Sequence, residues 1–344
     1  THARSQTSRR RVRNNEALLR SPWHIAPAGM SARIRIGISS CLLGQAVRFD
    51  GGHKHNGYIT ESLGQFFDFV PYCPEVAIGL GIPRPPIRLV KSAHGPRARG
   101  VRDAALDVTD KLVAYAEKVA PKLHDLSGYI LKKGSPSCGM ERVKVYGPQG
   151  MSVATGPGLY AGTLMAQLPE LPFEEEGRLM DPVLRENFVE RVFVYHRWQQ
   201  LTAQRLTAKA LVEFHTRHKF IVLAHDEKRY RELGRLVATA GRRGMAELGH
   251  TYIQLLMQAL KKPATRTRHA NVLQHLFGFL KQNLDAADKR ELLELINTYR
   301  RGQLPLVVPI TLLRHYLRRF PAPYLSEQYY LAPHPDELML RNQI

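Results

Sequence analysis

The chain has 344 residues, 44% of them hydrophobic and 23% charged. That length suits about two domains, and the composition supports a packed core. No apolar run reaches the ~18 residues of a membrane-spanning helix, so no membrane partner is expected. Three cysteines cannot build a disulfide framework, and their odd number argues for a reducing, cytoplasmic setting. Fifty Lys+Arg against thirty Asp+Glu leave a net charge of +20, which suits an anionic partner without fixing a chemistry.

Residues 1–32 read as a disordered extension outside the fold. They are rich in Ser, Arg and Asn, and six arginines against Glu16 give the first thirty residues a surplus of +5. The segment lacks the apolar core of a signal peptide, although its Arg/Ser bias resembles a transit peptide. It begins at Thr1, and Met30 is a candidate start just before the first strand-like run.

Residues 33–172 alternate as an α/β domain. Ile34, Ile36 and Ile38 open a strand-like run that ends at Cys41; Phe67 to Val70 form a second run, ending at Pro71 and Cys73. A helical face of Leu112, Tyr115, Ala116 and Val119 follows over about 107–120. Tyr129 to Leu131 form a third strand, and Met151 to Ala154 are a candidate for another. Strands separated by helices predict a mostly parallel sheet covered on both faces. Asp50-Gly51-Gly52 and Gly156-Pro157-Gly158 read as turns.

Beyond this the pattern is helical. Asp181-Pro182 sets an N-cap before Pro at the first helical position, and Phe188, Val192, Tyr195 and Trp198 keep a helical period. The 173–204 stretch is read as a connector helix. Residues 205–344 form an all-α domain, with helices expected near 207–223, 226–239, 244–261, 269–282, 286–299 and 306–319. No repeat of fixed period suggests a solenoid. Charge is spread over the body, +6 over 31–170 and +9 over 171–344. No aromatic-basic run of a single-strand reader is visible.

Cys41, Cys73 and Cys138 all lie in the α/β part, 32 and 65 residues apart, each just past an apolar run and near a turn-former. The ends of parallel strands share one edge, where ligands bind, so three thiolates can converge there. Thiolates select zinc or iron–sulfur clusters. A closed zinc site needs a fourth ligand, whereas three cysteines on a four-iron cluster leave one iron open. With no C-x-x-C pattern, the spacing alone fits three buried small hydrophobes equally.

The strings Cys41-Leu42-Leu43-Gly44, Val47-Arg48-Phe49-Asp50-Gly51-Gly52, Cys73-Pro74-Glu75-Val76, Gly79-Leu80-Gly81-Ile82-Pro83-Arg84-Pro85-Pro86 and Ser135-Pro136-Ser137-Cys138-Gly139 resemble, in order, those of the TudS-type thiouracil desulfurases. The resemblance covers about 33–170. It implies desulfuration of 2-thiouracil to uracil, with a [4Fe–4S] cluster on Cys41, Cys73 and Cys138 and a catalytic pair at Glu75 and Ser135. Phe49 departs from the Tyr commoner at that position, and Met140 to Gly147 also depart.

The residue types fit that chemistry. A soft thiocarbonyl sulfur suits an open iron acting as Lewis acid, and hydrolysis exchanges S for O without electron transfer. Glu75, two residues from a ligand, suits the base for water. Ser135, on a Pro-containing turn, suits a proton donor, with turn stabilisation as its alternative. Arg48, Arg84 and Ser137 are candidate substrate-binding residues. Lys132 and Lys133 would add positive potential, with surface exposure as the default reading.

In the helical part, His215, His218 and His225 share a helical segment, but core or capping histidines are the plainer reading than a metal site. That segment, with Tyr230, Leu233, Gly234, Val237 and Ala238, resembles the YbgA-like domain, which implies no activity. A second functional reading is a basic RNA-binding module, in which the helices hold RNA and the iron–sulfur domain acts on or senses thiolated bases.

Overall fold

The computed structural model describes residues 33–242 and 244–342; the expectation for 1–32 lies outside them. The fold is an α/β half followed by a mostly helical half. Among the described residues no helix is long and apolar enough to cross a membrane.

Sheet A is wholly parallel. Its strands β1 (Ile34–Ser39), β2 (Phe67–Tyr72), β5 (Gly128–Leu131) and β8 (Phe173–Glu175) lie in the order β2-β1-β5-β8. β1 is buried along nearly its whole length, as a central parallel strand must be. The sequence pattern anticipated only one strand, near Met151 to Ala154, of sheet B, built from β3 (Ile87–Val90), β4 (Arg97–Gly100), β6 (Val143–Tyr146) and β7 (Ser152–Gly156) in the order β4-β3-β6-β7. Only β3 and β6 pair in parallel there; β3–β4 and β6–β7 are antiparallel. The helices of this half are α1 (Pro74–Ala77), α2 (Thr109–Val119) and α3 (Leu159–Gln167).

The helical half is built from α5 (Ala208–His225), α6 (Glu227–Val237), α7 (Met245–Leu260), α8 (Arg266–Leu280), α9 (Ala286–Arg300), α10 (Val307–Arg319) and the short α11 (Pro323–Ser326). One continuous apolar core runs through them.

The expected connector is more than a link. Phe173–Glu175 is the edge strand of sheet A. The helix that follows, α4 (Pro182–Thr202), is capped by the Asp181 carboxylate, which accepts from the Val183 and Leu184 amides. Residues 187–194 of α4 are buried without a break, so this helix is covered all round. Phe188, Val189, Val192 and Phe193 pack with Ile34, Ile36, Ile38 and Ile130 of sheet A, while Val194 and Trp198 belong to the core of the helical half. Close approach is possible because β5 has Gly128 here: a Cβ would sit 2.8 Å from Val192 Cγ2.

Candidate active site

Parallel strands deliver their carboxyl ends to one edge, and each cysteine follows such an end. Cys41 sits in the 3₁₀ turn Ser40–Leu43 after β1, Cys73 directly follows β2, and Cys138 lies in the loop after β5. All three line one cavity of about 300 Å³, together with Arg48, Phe49, Lys54, Glu75, Arg84, Lys132, Lys133 and Ser135. The cysteines are free thiols. Among the described residues no three His, Cys, Asp or Glu side chains gather as ligands to a single ion.

Burial pushes all three thiols up, Cys138 well above the ordinary range. Lys132 and Arg48 oppose this at Cys41, the Val76 amide at Cys73 and the Ser39 hydroxyl at Cys138. Desolvation disfavours a bare thiolate; neighbouring positive charge and donors favour it.

The Cys138 loop is fixed from two sides. The Ser135 hydroxyl oxygen accepts from the Ser137 and Cys138 amides at 3.2 and 3.1 Å. The start of α3 docks on the loop: the amides of Gly158, Leu159 and Ala161 donate to the carbonyls of Gly139, Pro136 and Ser137. A Cβ at Gly158 would lie 2.6 Å from the Ser137 carbonyl, so only glycine permits this contact.

Glu75 occupies the first turn of α1. Its Oε2 accepts from Arg84 Nε at 2.9 Å and stands 2.8 Å from Arg84 Nη2 in an ion pair, and its Oε1 accepts from the Ser137 hydroxyl at 2.9 Å. Arg84 also donates to the carbonyls of Gly81 and Val47.

Two of the substrate-binding candidates are engaged by the protein itself. Arg84 lines the cavity, but its guanidinium is engaged by the protein and its side chain is 3% exposed. Ser137 is fully buried, with its hydroxyl on Glu75 rather than among the residues lining the cavity. Both hold the carboxylate. Arg48 is different: its Nε has no hydrogen-bond partner, Asp50 Oδ1 stands 3.6 Å away, and the guanidinium lies over the exposed Phe49 ring. Asp50 to Gly52 form the expected turn, with the Gly52 amide on Asp50 Oδ1.

Lys132, expected at the surface, reaches the cavity and pairs with Glu176, which also accepts from the Lys133 amide at 2.6 Å. Ser39 and Glu176 are site residues that sequence reasoning missed. The signal for Ser39 was a polar residue ending an otherwise apolar strand; Glu176 is brought in by β8, itself unforeseen.

The three histidines of α5 do not converge. His215 Nδ1 meets the Tyr252 hydroxyl, His218 Nδ1 donates to the Phe214 carbonyl, and His225 bridges Glu190 and the Lys262 carbonyl. They are core histidines.

Comparison with known proteins agrees with this division. The 2-thiouracil desulfurase family model matches residues 36–176, and that of the family of unknown function DUF1722 matches residues 219–335. The uncharacterized protein YbgA of Escherichia coli (strain K12) is 34% identical over 153 residues, which span 44% of this chain and 90% of YbgA. Among solved structures, a [4Fe–4S]-dependent thiouracil desulfidase, TudS, is 29% identical, with 43% of this chain and 95% of that one covered and a TM-score of 0.33. The chain belongs to the family of YbgA and joins a 2-thiouracil desulfurase domain to a DUF1722 domain.

Proposed function

We propose that the α/β half replaces sulfur by oxygen in a thiolated pyrimidine such as 2-thiouracil, with Cys41, Cys73 and Cys138 holding a [4Fe–4S] cluster. The observation that carries the reading is the gathering of all three cysteines, from three separate strand ends, on one cavity whose wall also presents Glu75 and Ser135. The donor set suits the group: thiolates are the ordinary ligands of iron–sulfur clusters, and Arg48, Lys54, Lys132 and Lys133 offset their charge. When bound, a cluster with three protein ligands supplies an open iron as Lewis acid for the thiocarbonyl sulfur.

The chain's own residues divide the remaining work. Glu75 takes the proton of the attacking water at a carboxylate oxygen. Arg84 and Ser137 orient that carboxylate. The Ser135 oxygen already accepts two amides, which leaves its proton free to donate to the ring. The Arg48 guanidinium, which lines the cavity, donates to a ring carbonyl. Hydroxide equivalents enter at carbon and sulfide leaves, with no change in oxidation level.

The test is anaerobic reconstitution with iron and sulfide, followed by measurement of sulfide release from 2-thiouracil. Absorbance near 400 nm and stoichiometric turnover are expected. Cys→Ala at any one of the three positions lowers bound iron; normal iron in such a variant removes that residue from the ligand set. Failure of the loaded protein on 2-thiouracil, 2-thiouridine and thiolated RNA alike rejects the reaction.

A further inference from the structure

A second cavity, of about 220 Å³, lies where the two halves of the chain meet. Its walls come from the α3–β8 segment, from α4 and from the residues just after α7. The polar lining is unbalanced. Arg178, Arg191 and Lys261 stand against one lining carboxylate, Glu174, while Arg178 is also paired with Glu141 outside the lining. Glu174 already accepts from Arg178 Nε at 2.6 Å.

Arg191 is under-partnered. Its side chain is 8% exposed, its Nη2 reaches the Phe173 carbonyl at 3.3 Å and stands 3.7 Å from Glu174 Oε2, and its Nε makes no hydrogen bond. A buried guanidinium with an unmade bond is costly, and a negative charge in the cavity it lines would offset part of that cost. Lys261, on the open side, makes no side-chain hydrogen bond or ion pair with any described residue. Burial and the neighbouring Arg191 lower the Lys261 pKa against the pull of Glu170, and burial takes Arg191 down to about 10 against that of Glu174; in both, loss of water outweighs the nearby carboxylate.

The rest of the wall is apolar, including Met165, Leu168, Leu171 and Leu184. A few polar groups set in an apolar cavity are the usual anatomy of a small-ligand site. Glu174 disfavours a dianion, and the apolar wall disfavours a fully hydrated one. We propose that this cavity binds a small organic monoanion, an apolar acid whose carboxylate pairs with Arg191 and Lys261 while its body rests on the Met165, Leu168, Leu171 and Leu184 wall.

The experiment is calorimetric titration of the full chain with benzoate, with benzyl alcohol as the neutral match and inorganic phosphate as the hydrated anion. Saturable one-to-one binding of benzoate is expected, with the other two at least tenfold weaker. Lys261→Met and Arg191→Gln should each weaken benzoate at least tenfold with unchanged circular dichroism. Should Arg191→Gln fail to fold, Lys261→Met on the open side decides alone. Absence of saturable benzoate binding to the native chain overturns the proposal, as does unchanged binding in folded Lys261→Met or phosphate binding as tight as benzoate. None of these readouts uses desulfuration, so this site and the proposed reaction stand or fall separately.

Discussion

The Ser137 hydroxyl donates to Glu75 Oε1 at 2.9 Å across 62 residues of chain. That one bond links the loop carrying Cys138 to the turn that follows Cys73. Arg84 closes the other carboxylate oxygen, so Glu75 is held from both sides between two cysteine-bearing segments. A catalytic group needs this kind of fixed placement more than it needs proximity alone.

Removing either support should therefore act through Glu75. Ser137→Ala leaves Oε1 without its donor and should lower kcat by up to about 10²-fold, with KM little changed and iron content normal. Arg84→Met breaks a buried ion pair and strips the Val47 and Gly81 carbonyls of a donor. It should cost about 3 kcal/mol or more, read by urea denaturation. A kcat unchanged in folded Ser137→Ala would remove the positioning role.

Glu75→Gln and Ser135→Ala should keep the cluster and lose turnover. Neither residue is placed as a ligand, so bound iron stays, while loss of a proton-transfer group typically costs about 10²–10⁴-fold. Both variants also cost stability: Ser135→Ala frees the Ser137 and Cys138 amides, and Glu75→Gln leaves the buried Arg84 guanidinium without its counter-charge, so both should lower the melting temperature. Iron and sulfide release measured on the same samples decide both.

Much of this was legible in the chain because it depends on strand ends. Ile34, Ile36 and Ile38 announce β1, and the cysteines stand just past apolar runs, so a parallel sheet brings them to one edge. Helix bounds in the second half follow the apolar period closely. Sheet B was legible only at β7: β4 reads Arg-Ala-Arg-Gly, and the sheet gains its burial from contacts distant in sequence, with α2, with Leu159 of α3 and with Ile78 and Leu80. β8 was hidden by Glu174 and Glu175, buried carboxylates that look like surface residues in sequence. The roles of Arg84 and Ser137 depend on contacts made across turns, which no local pattern encodes. α4 was legible as a helix from its Asp181-Pro182 cap, but not as a shared element, because residues 187–194 are buried without a break and carry no polar face to mark where one core ends and the next begins.

Acid should destabilise the helical half through its buried histidines. Burial lowers His215 and His334 to about 4 and His269 to about 3. Their folded values lie below the unfolded value of ~6.5, so the unfolded chain binds more protons in this window and stability falls as pH drops from ~6.5 toward 4. Glu186 works in the opposite direction: burial pushes it up to about 7, so its stabilising contribution is present below ~4.3 and is lost as pH rises to about 7. Three histidines outweigh one glutamate, and the net slope should be positive between pH 4.5 and 6.5. Urea midpoints over that range test it. His269→Gln, which removes one titrating ring beside Tyr330, should flatten the slope; a slope unchanged in this variant would show that His269 does not contribute.

Cutting the chain between its halves should damage both. A fragment ending at residue 172 lacks β8, which pairs with β5 at the sheet edge, and lacks the α4 side chains that cover Ile34, Ile36 and Ile38. Exposing that face uncovers several large apolar side chains, each worth about 1.5–3 kcal/mol of burial, against a typical total stability of about 5–15 kcal/mol. The 33–172 fragment is therefore expected to show no cooperative melt. Extending it to residue 204 restores β8 and α4, but leaves Val194 and Trp198 without the helical core they pack into. This longer piece should melt cooperatively at a lower temperature than the full chain and should self-associate through the bared face of α4. Substituting polar residues at Val194 and Trp198 should then return it to a monomer without changing iron binding at the cysteines. Circular dichroism melts and sedimentation on the two fragments, the substituted variant and the full chain make the comparison, and a 33–172 fragment that melts as sharply as the full chain would show that α4 is a linker after all.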